Sequence, residues 1–407
     1  MNNKPCISLD VSQGKSHIQG FYALGKSVRK PQVILHTKNG FQKIIDLFNT
    51  LFTKTNQDPL IIFEFTGIYH QPLEMFLLSQ KLKYHIVSPL RAAKFRKKEI
   101  RSVKTDKYDC LTLANMFYKK EIGDFNLESK EHKELRSINR FYENILLRQQ
   151  ELKVNFRECL AIIYPNYKIT ASKGIGAFKN VYTNESLCFL KEFPHPQLVC
   201  QSDVLTISNK LKDWVGLSHK NMCNEIAKRL YDYASNIVSG CYLNSPEVDK
   251  LKFYLDQIQN YEVILKNTLN QLQTLLDGNL LYNTILTIPC IKENLASRFV
   301  AELGDISRFK SYKQIIAYSG TDPIVYQSGD KSGLHLSISK KGNKHLRTIL
   351  YLMVNQLIKA SYVPSSIKDY YKKKTQQGSP KLVASVACCN KLVRIIYYLN
   401  KTGAAYE

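Results

Sequence analysis

The chain has 407 residues, 44% of them hydrophobic, enough for roughly two or three domains at about 150 residues each. Its 58 Lys and Arg against 34 Asp and Glu leave a formal net charge of +24. That excess favours a polyanionic partner, nucleic acid before an anionic membrane surface, over a soluble basic protein with no such partner. No membrane span is read. The stretch "TILYLMVNQLIKASYV" is interrupted by Asn355, Gln356 and Lys359 and falls short of the ~20 residues needed. The opening "MNNKPCISLDVSQ" carries no apolar signal core. Ten cysteines without CxxC spacing read as reduced thiols in a cytoplasm, mostly core filler.

In chain order, residues 1–124 alternate strand and helix. "CISLDVSQ" is a strand ending at Asp10, "SHIQGFYALG" its hairpin partner across Gly14, and "PQVILHT" a third strand. Phe41, Ile44, Ile45, Phe48 and Leu51 space a helix over 40–54. Leu60, Ile61, Ile62, Phe63 and Phe65 read as a strand buried on both faces, which makes Glu64 an anomaly. A helix over 71–81, the strand "YHIVSP" and the basic segment "RAAKFRKKEIRSVKTDKYDC" follow. This order predicts an α/β domain with a mixed sheet.

Residues 125–278 read as a helical, coiled-coil region. Leu135, Ile138, Tyr142, Ile145, Gln149, Leu152, Phe156 and Cys159 form a heptad seam with one polar position. Leu251, Leu255, Ile258, Leu265, Leu269, Leu272 and Leu276 mark a second long helix. The two helices pair within one chain or across a dimer. Between them, residues 166–245, with the single Trp214, offer no motif. Residues 279–407 read as a mainly helical domain. It opens with helix-turn-helix character in "LTIPCIKENLASRFVAELGDISRF" and continues through a Gly/Ser/Asp-rich loop with short strands to amphipathic helices.

The candidates to meet Glu64 are other acids. Asp10 ends the first strand. Asp106 and Asp109, spaced i, i+3, share a helix face, although acids at a helix start also simply suit its N-terminus. Several carboxylates converging on one sheet edge cannot all ionise unless a cation holds them. Hard oxygen donors suit Mg²⁺ or Mn²⁺, and two such ions serve phosphodiester chemistry. The basic run Lys94 to Lys107, with Lys104 in it, would neutralise a nucleic-acid backbone there.

The order Asp, Glu, Asp, Asp on this sheet resembles the ribonuclease H fold in its Holliday-junction-resolvase (RuvC-like) branch. More specifically, "LDVSQGKSH", "FEFTGIYHQPLEMFL", "VSPLRAAKFRK" and "VKTDKYDCLTLANMF" resemble the N-terminal domain of the DEDD-type insertion-sequence transposases of bacteria. "IPCIKENLASRFVAELGDISRFKSYKQIIAYSGTDPIVYQSGDKSG" followed by "SKKGNKHLRTILY" resembles that family's C-terminal transposase domain. The likeness covers most of the chain except about 166–245.

The resemblance implies that Asp10, Glu64, Asp106 and Asp109 bind divalent metal, Mg²⁺ or Mn²⁺, and that Ser328, in "SGTDPIVYQSG", is a nucleophile. It implies a recombinase that acts on donor and target DNA under an element-encoded guide RNA, through a phosphoserine link and a junction-like intermediate. It further implies a homodimer assembling to a homotetramer, in a bacterial, nucleoid-associated, cytoplasmic setting. Lys340, Lys341, Lys344 and Arg347 are candidate phosphate contacts at a helix start, or else a solvated face. "KDYYKKK", Tyr370 to Lys374, contacts RNA or is a plain helix end. Where the family carries "PGIG", this chain has "PCIK": Cys290 replaces a glycine, and Lys292 supplies charge instead. A water-using junction nuclease and a catalytically decayed nucleic-acid-binding protein are the competing readings.

Overall fold

A computed structural model describes residues 4–98, 106–122, 129–168, 177–214, 222–324, 327–328, 331–332, 337–360 and 364–406. Lys104 lies outside the described residues, as do the side chains of Asp106 and Ser328. The chain divides into two units, Met1–Glu128 and Ser129–Glu407.

In the first unit, β1 (Cys6–Ser12) and β2 (Lys15–Ala23) form an antiparallel hairpin. Gly14 in its turn has φ +71°, a left-handed conformation natural to glycine. β3 (Lys26–Ser27) and β4 (Gln32–Leu35) both pair with β2. After α1 (Lys38–Thr55), whose first turn is capped by the Thr37 hydroxyl, comes β5 (Leu60–Glu64), parallel to β1. α2 (Gln71–Ser79) then leads to β6 (Tyr84–Val87), parallel to β5. α3 (Pro89–Lys98) and α4 (Asp106–Tyr118) complete the unit. The sheet order β3-β2-β1-β5-β6, with β4 also on β2, is mixed as expected.

Strand alternation assigns the two faces. Ile7, Leu9, Ile61 and Phe63 pack with Phe41, Ile44, Leu51 and Leu73 of α1 and α2. Cys6 and Ile62 face the other way, onto Ala92, Phe95, Leu113 and Phe117 of α3 and α4. Phe65 departs from the expected buried run: it lies past the end of β5 and is 49% exposed.

The second unit begins with α5 (Lys130–Ile163). The described residues of the stretch without a motif form the helices α6 (Asn184–Glu192), α7 (Pro196–Cys200), α8 (Val204–Trp214) and α9 (Cys223–Asn236). α10 (Pro246–Leu275) returns antiparallel to α5 within the same chain. Cys159 Sγ donates to the Glu247 carbonyl at 3.1 Å, and Lys153 meets Glu262 at 3.9 Å. Tyr164, Tyr167, Phe189, Tyr233 and Leu255 centre the core of this part.

α11 (Leu280–Leu286), α12 (Glu293–Leu303) and α13 (Tyr312–Ser319) precede a minimal hairpin of β7 (Gln327–Ser328) and β8 (Lys331–Ser332). α14 (Lys344–Lys359), α15 (Ser366–Gln376) and α16 (Lys381–Thr402) follow. Phe299, Leu350, Met353, Cys388, Leu392 and Ile396 lie in a second apolar cluster. By length and composition α16 alone, among the described residues, could cross a membrane. Its Ala384, Cys388, Leu392 and Ile396 are nevertheless buried here. All ten cysteines are free thiols.

The α5 seam shifts from its expected register near the helix start. His132 and Asn139 are buried, while Leu135 and Ile138 are only partly so. Both polar residues have partners on α12: the His132 imidazole pairs with the Ala301 carbonyl at 2.9 Å, and the Asn139 amide donates to Glu302 at 2.9 Å. A satisfied polar side chain can occupy a core position that the apolar pattern reserves for leucine.

Candidate active site

Parallel pairing of β1 with β5 aligns Leu9 with Phe63. Asp10 and Glu64 are therefore the next residues along adjacent strands. Alternation turns both toward the α3/α4 side of the sheet. Asp109, on the first turn of α4, reaches the same edge through Arg96 of α3. The Arg96 Nη2 donates to Glu64 Oε2 at 2.6 Å, and its Nε stands 3.2 Å from Asp109 Oδ1, an ion pair without hydrogen-bond alignment. One guanidinium thus bridges two of the expected acids. Next to Asp109, the Cys110 thiol donates to the His17 carbonyl at 3.3 Å. Burial pushes this thiol up to about 12, and the charges of Asp10 and Asp109 add to the shift, so it is a neutral filler.

Asp106 starts α4, one turn before Asp109. Among the described residues, no three His, Cys, Asp or Glu side chains are grouped to hold a metal ion. Asp10, Glu64 and Asp109 share an edge, but Glu64 and Asp109 are closed onto Arg96 rather than around a common centre. The donors are hard oxygens, suited in kind to a divalent cation. The Arg96 guanidinium stands where positive charge is required. Arg96 was not legible as part of the site. In sequence it is one of a run of cations that reads as facing a nucleic-acid backbone.

In the second unit, β7 pairs with β8 through Gln327 with Ser332 and Ser328 with Lys331. This sets Ser328 on a hairpin whose stem is firmly tied. Ile324 N donates to the Ser337 carbonyl at 2.9 Å, and Ser339 N to the Asp322 carbonyl at 2.8 Å. Asn343 N donates to the Tyr318 carbonyl at 2.7 Å. Ser319 is buried, with its hydroxyl on the Ile316 carbonyl and Thr321.

Two glycines allow close approach at the stem. Gly320 has φ +67°, and a Cβ on Gly342 would fall 2.3 Å from the Tyr318 carbonyl oxygen. We expect Gly342→Ala to cost about 1–3 kcal/mol, read as a lowered denaturation midpoint. An unchanged midpoint would mean that the stem is looser than its hydrogen bonds indicate.

The basic residues divide by role. Lys340, Lys341 and Lys344 are exposed at the start of α14. Arg347 turns inward, and its Nη1 donates to the Ser319 carbonyl at 2.8 Å, bracing the turn. Lys292 is exposed immediately before α12. At Cys290 the backbone has φ +64°. The position that is glycine in "PGIG" keeps a glycine-like conformation under a side chain.

The α14 start is positioned by a polar network absent from the sequence reading. The Asn343 side chain accepts from His345 N and Leu346 N, while its amide donates to Glu302 Oε2 at 2.7 Å. Arg298 Nη2 donates to Glu143 at 2.9 Å, and the His345 Nδ1 donates to the same carboxylate.

A family model described as a transposase, of the DEDD type of IS110 elements, matches residues 7–165. A second, described as the transposase IS116/IS110/IS902 family, matches residues 282–372. The chain is similar to a probable family 20 transposase of Pseudomonas aeruginosa, 26% identical over 165 residues, 40% of this chain and 48% of that protein. It is 29% identical over 156 residues to the transposase for insertion sequence element IS1328 of Yersinia enterocolitica, 38% of this chain and 44% of that protein. It is 28% identical over 166 residues to the pilin gene-inverting protein of Moraxella lacunata, 41% of this chain and 50% of that protein. The chain spans about half the length of these curated relatives.

Residues 7–165, which include the mixed sheet, match a DEDD transposase domain, consistent with a ribonuclease H-like fold, and such domains generally imply divalent metal use. With the second model matched further along, the chain is similar to the IS110/IS116/IS902 transposases over these two segments.

Proposed function

We propose that this chain is a DNA transposase and recombinase that moves an insertion sequence by cleaving and exchanging strands under a guide RNA. The observation that carries the reading is the convergence of Asp10, Glu64 and Asp109 on one sheet edge, in a chain of net charge +24. Asp10, Glu64, Asp106 and Asp109 would hold Mg²⁺ or Mn²⁺, which supplies charge stabilisation at a phosphodiester when bound.

Ser328 is the nucleophile. Its Oγ bonds to phosphorus as the bridging P–O bond breaks, and the departing strand oxygen takes a proton. A hydroxyl of the incoming strand then displaces the serine and restores a phosphodiester. Bond energy is conserved in the phosphoserine, so rejoining needs no nucleotide cofactor. Lys340, Lys341 and Lys344 contact phosphate, as do Lys292 and Lys104, while Arg347 supports them by bracing the turn. The working form is a homodimer that assembles to a homotetramer on donor DNA, target DNA and guide RNA.

The test is capture of a protein–DNA adduct that survives denaturation, with the element's own RNA and end sequences present. Wild-type protein should form it, and Ser328→Ala should form none and exchange no strands. Cleavage by Ser328→Ala without an adduct would replace this reading with a water-using nuclease.

A further inference from the structure

An open cleft of about 260 Å³ lies between α13, α15 and α16, with Tyr312, Tyr370, Asn390, Lys391 and Arg394 in its lining. Lys391 Nζ stands 5.0 Å from the Tyr370 ring centroid, and Lys374 Nζ 5.7 Å from the same ring. The Arg394 guanidinium is 6.0 Å from the Tyr312 ring. No carboxylate lines the cleft among the described residues. Nor does any described carboxylate form an ion pair with Lys374, Lys391 or Arg394. Cations resting on half-buried rings, with no acid to neutralise them, form a site that wants an anion with flat groups attached.

One wall is held to the stem of the Ser328 hairpin. Asn390 accepts from the Thr321 hydroxyl at 2.6 Å and donates to the Thr321 carbonyl at 3.2 Å. The surrounding stretch is basic, with 19 Lys and Arg against 8 Asp and Glu over residues 277–407. The second family model ends at residue 372, so α16, which supplies Asn390, Lys391 and Arg394, lies beyond it.

We infer that this cleft binds a single-stranded segment of nucleic acid beside the Ser328 hairpin. Phosphates engage Lys374, Lys391 and Arg394, and bases stack on Tyr312 and Tyr370 once the cations move from ring to phosphate, Lys391 also leaving the Ser366 carbonyl it meets at 2.9 Å. A duplex has its base faces covered and leaves the rings unused. The inference rests on the nucleic-acid reading of the chain, but needs neither the acids nor the serine.

The test measures anisotropy of labelled oligothymidylate, oligouridylate and a duplex on the full chain, with thermal melts to verify folding. Arg394→Glu and Tyr312→Ala should each weaken single-strand binding about tenfold, while Tyr312→Phe and the control Lys401→Glu stay within about twofold. Lys401 is an exposed α16 residue outside the lining. Tighter binding of either single strand than of duplex supports the cleft, and the tighter of the two identifies the strand. Equal or tighter duplex binding overturns it, as do cleft variants that bind like wild type. A loss with Lys401→Glu as large as with Arg394→Glu overturns it too, because bare charge would then suffice. If the cleft variants bind normally while the adduct forms, only this inference fails. If they lose binding while no adduct forms, only the strand-exchange reading fails.

Discussion

Replacing Glu302 with alanine should destabilise the second unit by about 3–5 kcal/mol, the range for stripping one partner from a buried charged group. The Glu302 side chain is fully buried. It accepts from Asn139 Nδ2 at 2.9 Å, Asn343 Nδ2 at 2.7 Å and Arg140 Nε at 3.4 Å. Alanine leaves the buried Asn139 amide without its acceptor and leaves the Asn343 amide only its longer bond, 3.4 Å, to the residue 302 carbonyl. Arg140 contributes less, because its side chain is half exposed and screened. Glu302→Gln keeps the shape and one acceptor, so its cost should fall to about 1–3 kcal/mol. The damage should also reach the basic cluster, because Glu302 orients the amide of Asn343, the cap of α14. Asn343→Ala removes the cap and one donor to Glu302 but leaves the carboxylate its bond from Asn139, and should cost about 1–2 kcal/mol. Denaturant unfolding of the three variants checks the order. If Glu302→Ala costs no more than Asn343→Ala, the carboxylate is not what holds α12 to α5 and α14.

The difference between Glu302 and Glu64 shows what sequence can and cannot disclose. Glu64 stood out because it follows Ile61, Ile62 and Phe63, three fully buried strand residues, so its cost was visible locally. The strands of the first unit, except the two-residue β3, were readable from local apolar patterning, as were the periodic helices α1, α5 and α10. Glu302 sits in a helix where a glutamate is ordinary, and its burial depends on Asn139 and Asn343, far away in sequence. Asn139 hid for the same reason, since a heptad template favours Ile138, and only packing against α12 decides which is enclosed. Residues 166–245 were opaque because α6 to α9 are short and their shared core is assembled from distant residues such as Tyr164, Phe189 and Leu255. The caps of those helices were local signals all the same: Thr183 accepts from Ser186 N, and Asp203 from Thr206 N at 2.7 Å. Arg96 was hidden by its neighbours. In "RAAKFRKK" every cation looks alike, and only the rotation of α3 against the sheet turns one of them to the acids.

That rotation gives the second large effect. Glu64→Ala should reduce strand exchange by more than about 100-fold, beyond the range for substitutions outside a metal's own ligands. Arg96→Ala should act differently. Without a divalent ion, Glu64 and Asp109 would face each other unneutralised, and the loss of charge-assisted bonds should cost about 1.5–3 kcal/mol. If these acids hold the metal as proposed, removing the guanidinium takes away the built-in cation with which Mn²⁺ competes for their oxygens. A ligand bound by the folded state raises stability in proportion to its affinity. Arg96→Ala should therefore melt earlier than wild type in chelator, and regain more stability at a lower Mn²⁺ concentration. On the proposed ligand set, Glu64→Ala should show little of this gain. The thermal melt reads metal binding without requiring turnover, so it separates the metal site from any failure of RNA or DNA assembly. If Arg96→Ala melts with wild type in chelator and titrates with Mn²⁺ at the same concentration, the guanidinium does not hold the acids, and the cation they require must come from elsewhere.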